Sequence, residues 1–495
     1  MKGRRDRIDI NYYFKGIVLV ISLLCMVLIV GWRAVYALDM PRSWDQVDFS
    51  LALSRFDLFS MQPHFPGYPY FILGGMLLNN WIENPSIALS FVNSILLFSA
   101  MYPLYSISRS VLSKSLSVLT VAVIQSMVFM NVMTIQPMSE VSALSILWWY
   151  IWSLKVAFYK KDSRLIVLLP SFLLSVLFGI RLSYLPFGVG LLLLLVERKR
   201  QYLYKKKYLA FIGGQFALAI LFQLIWVGGL AASEGGVAAF LQLAVGFSAG
   251  HFQEWGGTVV SGAASPIWNR FIELIGYNIG WTGLSGQYGL ILFLILIIMA
   301  YATLRLFSRK GSWFVWTYFL MFVCYFFWAL FAQNIEKPRH ILPLPSMLLF
   351  VCLLSFMSLR KVHLKVGIVI VLLLSQTVGT YYMMEEGEKP AAVHKLIGYL
   401  STIEEPIMVY TWEETRVMEY TNVSFNHDRV YTYATFLSEL PYYEGRRIFL
   451  TDEVVNGFSK QGVPINGSIQ KVKPFYSNRM YDPVYHKIVL YEYKP

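Results

Sequence analysis

Residues 43–69 read SWDQVDFSLALSRFDLFSMQPHFPGYP. This stretch follows the first long apolar segment and contains three aspartates, one histidine and three prolines. Asp45 and Asp48 are three residues apart, so a helical turn would place them on the same face. The part LALSRFDLF is predicted to form an amphipathic helix in the membrane interface. The prolines of QPHFPGYP are predicted to end that helix in an extended turn.

The composition of the whole chain predicts a polytopic membrane protein. Of the 495 residues, 56% are hydrophobic and 14% are charged, whereas soluble domains have about 25% charged residues. Apolar runs of about 17 to 25 residues recur, and each is long enough to cross the hydrocarbon core as a helix. The net charge of +13 is assigned to basic loops that orient the spans, and no nucleic-acid partner is expected. The cysteines all fall in apolar segments, which argues against disulfides or a zinc site.

The apolar pattern predicts about eleven transmembrane helices with the N-terminus in the cytoplasm. Residues 68–82 are too short for a span and are predicted to form a re-entrant or interfacial helix on the outer face. The spans are expected near 14–37, 84–108, 115–133, 136–158, 164–180, 183–196, 207–230, 287–307, 312–333, 340–359 and 365–384. With this topology the basic connections are all cytoplasmic, in agreement with the positive-inside rule. They contain Arg109 and Lys114, Lys160, Lys161 and Arg164, the run 197–207, Arg305, Arg309 and Lys310, and Arg360, Lys361 and Lys365.

The last part of the chain differs in composition from the rest. Residues 1–384 are predicted to form the transmembrane domain, with outer loops at 38–83 and 231–286. Residues 385–495 are more polar and are predicted to form a small extracytoplasmic α/β domain. Its strands are expected in PIMVYT, DRVYTY, RRIFLT, SIQKV and HKIVLYEY, and its helices in KPAAVHKLIGYL and at 434–440.

Further ionisable residues are predicted to lie at the outer ends of the spans. They are Glu140, Arg181, His251, Glu254, Lys337, Arg339 and His340. Such residues are costly at membrane depth and usually functional. The alternative is that Glu140 and Arg181 form a structural ion pair, that the aspartates belong to a solvated loop and that the histidines are interface residues. Convergence on one face favours an outward cavity, in which arginine holds a phosphate and a carboxylate activates a hydroxyl.

The succession of these features resembles the GT-C superfamily of polytopic glycosyltransferases, which use polyprenyl-phosphate sugars. The PHFPGYP turn, GIRLSYLPF and KPRHILPLP are similar to segments of the branch related to protein O-mannosyltransferases and aminoarabinose transferases. Phe65 stands where related sequences have the second proline of the turn, and Gln46 follows Asp45 in place of a glutamate. The resemblance implies a GT-C-like helical membrane domain in this chain.

The resemblance also implies roles for individual residues. Asp45 would be the catalytic base that deprotonates the acceptor, with Asp48 as the alternative, and Glu140 would be the second acidic residue. The lipid phosphate would be held by Arg181, Arg339, Lys337 and His340, and the floor of the site would be shaped by His64 and Tyr68. Asp57, His251 and Glu254 are further candidates for substrate binding. One displacement would invert the sugar and release polyprenyl phosphate. The carboxylates would also permit a divalent metal such as Mg²⁺ or Mn²⁺, without defining its ligands.

Two other classes of membrane protein are compatible with part of this pattern. A flippase or transporter of lipid-linked saccharides would explain the spans and buried charges, but no internal repeat is visible. An oligosaccharide polymerase or ligase would use a large outer loop, for which 231–286 with His251 is the candidate. The sequence specifies neither the sugar nor whether the acceptor is a glycan, a lipid or a protein.

Overall fold

The protein is helical and multi-pass, and its fold is taken from a computed structural model that describes residues 2–160, 165–260, 265–306, 312–358 and 362–494. Within these ranges six helices are long and apolar enough to cross a membrane, or up to eight if each of two bent helix pairs is one span. The count of eleven spans remains a prediction. Of the predicted cytoplasmic residues, Lys161, Arg164, Arg309, Lys310, Arg360 and Lys361 lie outside the described residues, as does the side chain of Arg305.

The described residues up to Arg198 contain ten α-helices. They are α1 Lys2–Val35, α2 Trp44–Leu51, α3 Pro69–Asn79, α4 Pro85–Ser99, α5 Met101–Ser108, α6 Lys114–Gln125, α7 Val128–Thr134, α8 Glu140–Tyr159, α9 Leu168–Ile180 and α10 Val189–Arg198. Helix α3 has 11 residues and is about 16 Å long, which agrees with the prediction of a helix too short for a span; its re-entrant or interfacial position remains a prediction. Helices α6 and α7 meet at a bend of 60°.

The predicted span 183–196 differs from a regular α-helix. A 3₁₀ segment, Leu182–Gly188, precedes α10 and contains Pro186, which lacks the N–H needed to continue an α-helix. Because a 3₁₀ helix rises more steeply than an α-helix, the segment and α10 together extend about 29 Å. This length matches the hydrocarbon core of a bilayer.

The parts of the chain that the structure describes between Lys205 and Gly387 contain seven further α-helices. They are α11 Lys205–Ser233, α12 Val237–Gly250, α13 Ile267–Ile272, α14 Gly289–Leu306, α15 Trp313–Ala332, α16 Pro343–Met357 and α17 Val362–Gly387. The predicted outer loop 231–286 is largely helical, since it holds α12, α13 and two π-helical stretches, His251–Trp255 and Glu273–Leu284. Helix α12 has an exposed apolar face at Val237, Leu241 and Val245. This i, i+4, i+8 spacing suits a helix at an apolar boundary.

The C-terminal residues form the predicted α/β domain. Its helices are α18 Ala392–Leu400, α19 Glu414–Tyr420, α20 Tyr433–Glu439 and α21 Asp452–Lys460, and its strands are β1 Ile407–Thr411, β2 Asn426–Arg429, β3 Arg447–Thr451, β4 Ile469–Tyr476 and β5 Lys487–Tyr493. The sheet order is β2-β1-β3-β5-β4. Strand β1 is parallel to β2 and β3, and β5 is antiparallel to β3 and β4. The predicted strand at 428–433 was placed too late, and α19 and α21 were not predicted.

The short helix α2 packs on both parts of the protein. Val47 belongs to the hydrophobic core of the C-terminal domain, together with Leu396 and Val417. Phe49 belongs to the core of the membrane helices. The predicted amphipathic helix at 51–59 was wrong in position, because α2 ends at Leu51. Asp57 instead accepts hydrogen bonds from Ser60 in a local turn, and such side-chain bonds compete with helix formation.

Candidate active site

An ion pair between Asp45 and Arg339 joins the beginning of α2 to the turn before α16. The guanidinium Nη2 of Arg339 donates to Oδ2 of Asp45. The Asp45 side chain is 26% exposed and that of Arg339 is 11% exposed. Partial burial disfavours the Asp45 carboxylate, but the positive charges of Arg339 and Lys337 outweigh it and hold the pKa of Asp45 below its usual range. Asp45 is therefore ionised at neutral pH.

Glu140 links Arg339 to a second arginine. Its Oε1 lies 3.2 Å from Nε of Arg339 and 3.2 Å from Nη2 of Arg181. Arg181 also donates from Nη1 to the hydroxyl of Ser139 at 3.0 Å. The Glu140 side chain is fully buried, and its Oε2 makes no hydrogen bond within the described residues. We call Asp45, Glu140, Arg181 and Arg339 the Glu140 cluster.

The ends of secondary-structure elements position these four side chains. Glu140 is the first residue of α8, where a carboxylate is favoured by the partial positive charge of a helix N-terminus. Arg181 follows the last residue of α9, where a cation is favoured. Arg339 lies in the 3₁₀ turn Pro338–Ile341, directly before α16. The cluster thus forms where helix termini meet, which is a place that can bind charged groups.

Asp48 has partners different from those of Asp45. Its Oδ1 accepts a hydrogen bond of 3.0 Å from Nε of Arg416 in α19, and its Oδ2 lies 3.8 Å from Nδ1 of His64. The carboxylate is fully buried, and burial raises its pKa more than the charges of His64 and Arg416 lower it. The two aspartates are three residues apart, but Asp45 pairs with Arg339 and Asp48 pairs with Arg416.

His64 connects Asp48 to Tyr68. The Nε2 of His64 and the Tyr68 hydroxyl lie 2.7 Å apart. Tyr68 is 8% exposed, and Asp45, Glu140 and both arginines of the Glu140 cluster are close enough to act electrostatically on its hydroxyl. Burial raises the pKa of Tyr68. The PHFPGYP turn thus brings a protonated tyrosine hydroxyl to the edge of the cluster.

A cavity that is partly open to solvent lies over Asp45 and Arg339. Residues of the C-terminal domain form part of its wall, among them Glu413, Asp482 and Tyr485. Lys337 also lines it, and within the described ranges its ammonium makes neither a hydrogen bond nor an ion pair. His340 lies close enough to Asp45 and Arg339 to interact with their charges. The cavity therefore combines a carboxylate with a cation that is available for an anionic ligand.

Two of the predicted binding residues, Asp57 and His251, have structural contacts of their own, and a third, Glu254, is exposed. Asp57 pairs with Arg55 at 2.7 Å and accepts from Ser60. A ring nitrogen of His251 lies 3.1 Å from the carbonyl oxygen of Ala332. Glu254 is exposed on the π-helical turn. Asp57 and His251 therefore make local structural contacts.

The described residues do not provide an evident divalent-metal site. Within them no group of three or more His, Cys, Asp or Glu side chains is arranged to hold a metal ion. Asp45, Asp48 and Glu140 each have an arginine as neighbour, whereas a hard cation requires several oxygen ligands around it. Each of the three carboxylates that the sequence offered as possible metal ligands thus lies beside an arginine guanidinium group.

Several residues of the site were not predicted from the sequence. Trp44 lies under the guanidinium groups of Arg416 and Arg429, at 5.4 and 4.9 Å from its ring. Ser139 precedes Glu140 and could have been noticed as its neighbour. Arg416 is 368 residues from its partner Asp48, and no local pattern connects them.

Comparisons with known proteins support the fold. No protein-family model matches the chain, and no curated protein sequence matches it. Among solved structures, ArnT from Cupriavidus metallidurans bound to undecaprenyl phosphate is similar, with a TM-score of 0.53 at 8% identity over 96% of this chain and 98% of that chain. Its apo state gives 0.52 at 9% identity with the same coverage. The apo oligosaccharyltransferase of Archaeoglobus fulgidus gives 0.47 at 11% identity, over 88% of this chain and 69% of that chain.

The TM-scores of 0.53 and 0.52 show a common fold, and at identities of 8 and 9% they show nothing about the activity of this chain. The match to ArnT covers the helical membrane region and the C-terminal sheet domain together. This chain has the GT-C fold.

Proposed function

We propose that this protein is a membrane glycosyltransferase that transfers a sugar from a polyprenyl-phosphate donor to an acceptor at the outer face of the membrane. The observation that carries the proposal is the cavity over Asp45 and Arg339, which contains an ionised carboxylate and the ammonium of Lys337, for which the described residues provide no ion-pair partner. The GT-C fold supports it, because ArnT, which shares that fold, was crystallised with undecaprenyl phosphate. Residues 1–384 would form the catalytic membrane domain and 385–495 the outer domain.

In this proposal Lys337 and Arg339 bind the donor phosphate, with Arg181 and His340 beside them. Asp45 removes the proton from the acceptor, and the acceptor atom attacks the anomeric carbon. The bond from that carbon to the phosphate oxygen breaks, and polyprenyl phosphate leaves with its charge balanced by the cations. Because this is a single displacement, the anomeric configuration inverts.

The contact between Arg339 and Asp45 requires one further step. A carboxylate whose pKa is held low by a guanidinium is a weak base. The donor phosphate is a second anion that competes for Arg339, so its binding would draw Arg339 away from Asp45. Donor binding would in this way free Asp45 to accept the proton of the acceptor.

The test uses purified protein in lipid with a panel of polyprenyl-phosphate sugars. The measurement is release of free polyprenyl phosphate by the wild type and by Asp45→Asn, together with donor binding. We expect turnover by the wild type and a loss of about 10²-fold or more in the variant, with donor binding retained. Equal turnover by both proteins would refute the role of Asp45. Movement of labelled lipid or solute across the bilayer, without turnover of any donor, would instead identify a flippase or transporter.

A further inference from the structure

The C-terminal domain holds α2 by three separate contacts. Arg416 forms a hydrogen-bonded ion pair of 3.0 Å with the fully buried carboxylate of Asp48. The guanidinium groups of Arg416 and Arg429 lie over the ring of Trp44, and Arg429 also lies 4.1 Å from the ring centre of Trp412. Val47 is buried in the core of the domain. Polar, cation–π and apolar contacts thus all fix this helix of 8 residues.

The same helix carries Asp45. Asp45 is the second residue of α2, between Trp44 and Asp48. On the membrane side Gln46 donates to Gln136 at 2.7 Å, and Phe49 packs in the membrane core. Since α2 is too short to be stable alone, its position depends on these contacts with its two neighbours.

Asp48 also lies between the C-terminal domain and the PHFPGYP turn. Arg416 contacts one oxygen of Asp48, and His64 lies 3.8 Å from the other. His64 in turn contacts the Tyr68 hydroxyl at 2.7 Å. A continuous series of contacts therefore runs from α19 through Asp48 to a hydroxyl beside the Glu140 cluster.

We propose that Arg416 of the C-terminal domain is a positioning residue of the transfer site, which orients Asp45 through α2 and Tyr68 through Asp48 and His64. This inference rests on the proposed function. It makes the C-terminal domain a structural part of the site, in addition to any role in acceptor binding. Arg416 does not itself line the cavity over Asp45, so its effect on transfer is indirect.

The physical basis is the fully buried charge of Asp48. Without Arg416, that carboxylate would have to take up a proton or move toward water, because an unpaired buried charge is costly. Either response changes its contact with His64 and loosens α2. Displacement of a catalytic group by about 1 Å is sufficient to lower turnover about 10²-fold.

The experiment compares Arg416→Met with the matched control Arg447→Met. Arg447 lies in the same domain and pairs with Glu405 at 2.6 Å and Glu492 at 2.8 Å, but it belongs to β3 and not to the contacts of α2. Three quantities are measured in full-length protein: kcat for release of polyprenyl phosphate, the dissociation constant of the donor, and hydrogen exchange of the amides at 44–51. Arg416→Lys, Asp48→Asn and the double variant Asp48→Asn/Arg416→Met are added.

We expect Arg416→Met to lower kcat about 10²-fold with an unchanged donor dissociation constant and faster exchange at 44–51. Arg447→Met should leave all three quantities as in the wild type. Arg416→Lys should restore part of kcat, because it retains the charge but not the planar geometry. The double variant should be no less active than the worse of its single variants, since both residues act through one contact.

Equal kcat and equal hydrogen exchange in Arg416→Met and Arg447→Met would overturn the proposal. It would also be overturned if the loss of kcat in the double variant equalled the product of the losses in Asp48→Asn and Arg416→Met, because the two residues would then act independently. Hydrogen exchange separates this inference from the proposed function. If the wild type turns over no donor, faster exchange at 44–51 in Arg416→Met would still support positioning of α2 by Arg416. Unchanged exchange would refute that positioning whatever the activity is. If Arg416→Met does not fold, hydrogen exchange is measured in Asp48→Asn/Arg416→Met, which leaves no unpaired buried charge. Faster exchange at 44–51 in that variant would support positioning of α2 by Arg416, and unchanged exchange would refute it.

Discussion

Glu140 and Arg339 lie 3.2 Å apart, measured from Oε1 to Nε, although one begins α8 and the other precedes α16. The same carboxylate oxygen lies 3.2 Å from Arg181, so one buried anion holds two arginines. A fully buried glutamate is tolerated because these cations balance its charge. The pair therefore contributes to the packing of three helices as well as to the charge of the candidate site.

Glu140→Gln is expected to destabilise the protein. The amide keeps the shape of the side chain but leaves Arg181 and Arg339 without their shared anion, and removal of one partner from a buried ion pair costs about 3 kcal/mol or more. The midpoint of thermal unfolding in detergent should fall. Glu444→Gln, at an exposed position of the C-terminal domain, is the control. A midpoint equal to that of the wild type would show that the pairing contributes nothing to stability.

Lys337→Met is expected to weaken donor binding more than it slows the chemical step. Its ammonium is the cation of the cavity that makes no ion pair within the described ranges, so it is available for a phosphate. Loss of about 1.4 kcal/mol would raise the dissociation constant of polyprenyl phosphate about tenfold. The measurement is binding at low and high salt. Lys389→Met removes an exposed lysine that pairs with Glu386, and it should leave the affinity unchanged.

Glu414→Gln is expected to stabilise the C-terminal domain at neutral to alkaline pH. Burial raises the pKa of Glu414 to about 7, so between about pH 4.5 and 7 the folded state binds more protons than the unfolded state. The contribution of this group to stability therefore falls as the pH rises through that range. The variant should gain about 1–3 kcal/mol over the wild type at pH 8 and nothing near pH 4.5. A gain that is constant from pH 4.5 to 8 would contradict the assigned titration.

Asp57→Asn is expected to leave turnover within about twofold of the wild type. The Asp57 carboxylate pairs with Arg55 and Ser60 in a turn of its own, although the sequence made it a candidate for substrate binding. Turnover of the same donor is the measurement, with Asp45→Asn for comparison. A loss of turnover similar to that of Asp45→Asn would show that Asp57 does contribute to the site.

Thiol labelling tests the expected topology. Ser401→Cys lies at an exposed position of the C-terminal domain, and Lys205→Cys lies at the exposed start of α11. A membrane-impermeant thiol reagent added to intact cells should label the first variant and not the second, because the basic run at 197–207 predicts a cytoplasmic position. The wild-type protein, with its three cysteines in membrane helices, gives the background. The reverse labelling pattern would show the opposite orientation in the membrane. It would contradict the part of the proposed function that places sugar transfer at the outer face.

Local patterns in the chain predicted the long apolar helices and most strands of the C-terminal sheet. Long apolar runs and short alternating strands are properties of neighbouring residues, so they can be recognised without a partner. The position of the helix at 51–59 was wrong, and the helical segments within the predicted outer loop 231–286 were not predicted. A side-chain turn at Asp57 competed with the helix, and the helical spacing of Val237, Leu241 and Val245 was overlooked in the loop.

The sequence by itself determined that the protein is helical and membrane-spanning with a small α/β domain, and it identified Asp45, Glu140, Arg181 and Arg339 as separate candidates. Only the tertiary structure decided which charges meet. It joined Asp45 to Arg339 across 294 residues and Asp48 to Arg416 across 368 residues. The physical reason is that helix and strand formation depend on nearby residues, whereas the pairing of buried charges depends on how distant helix ends are packed together.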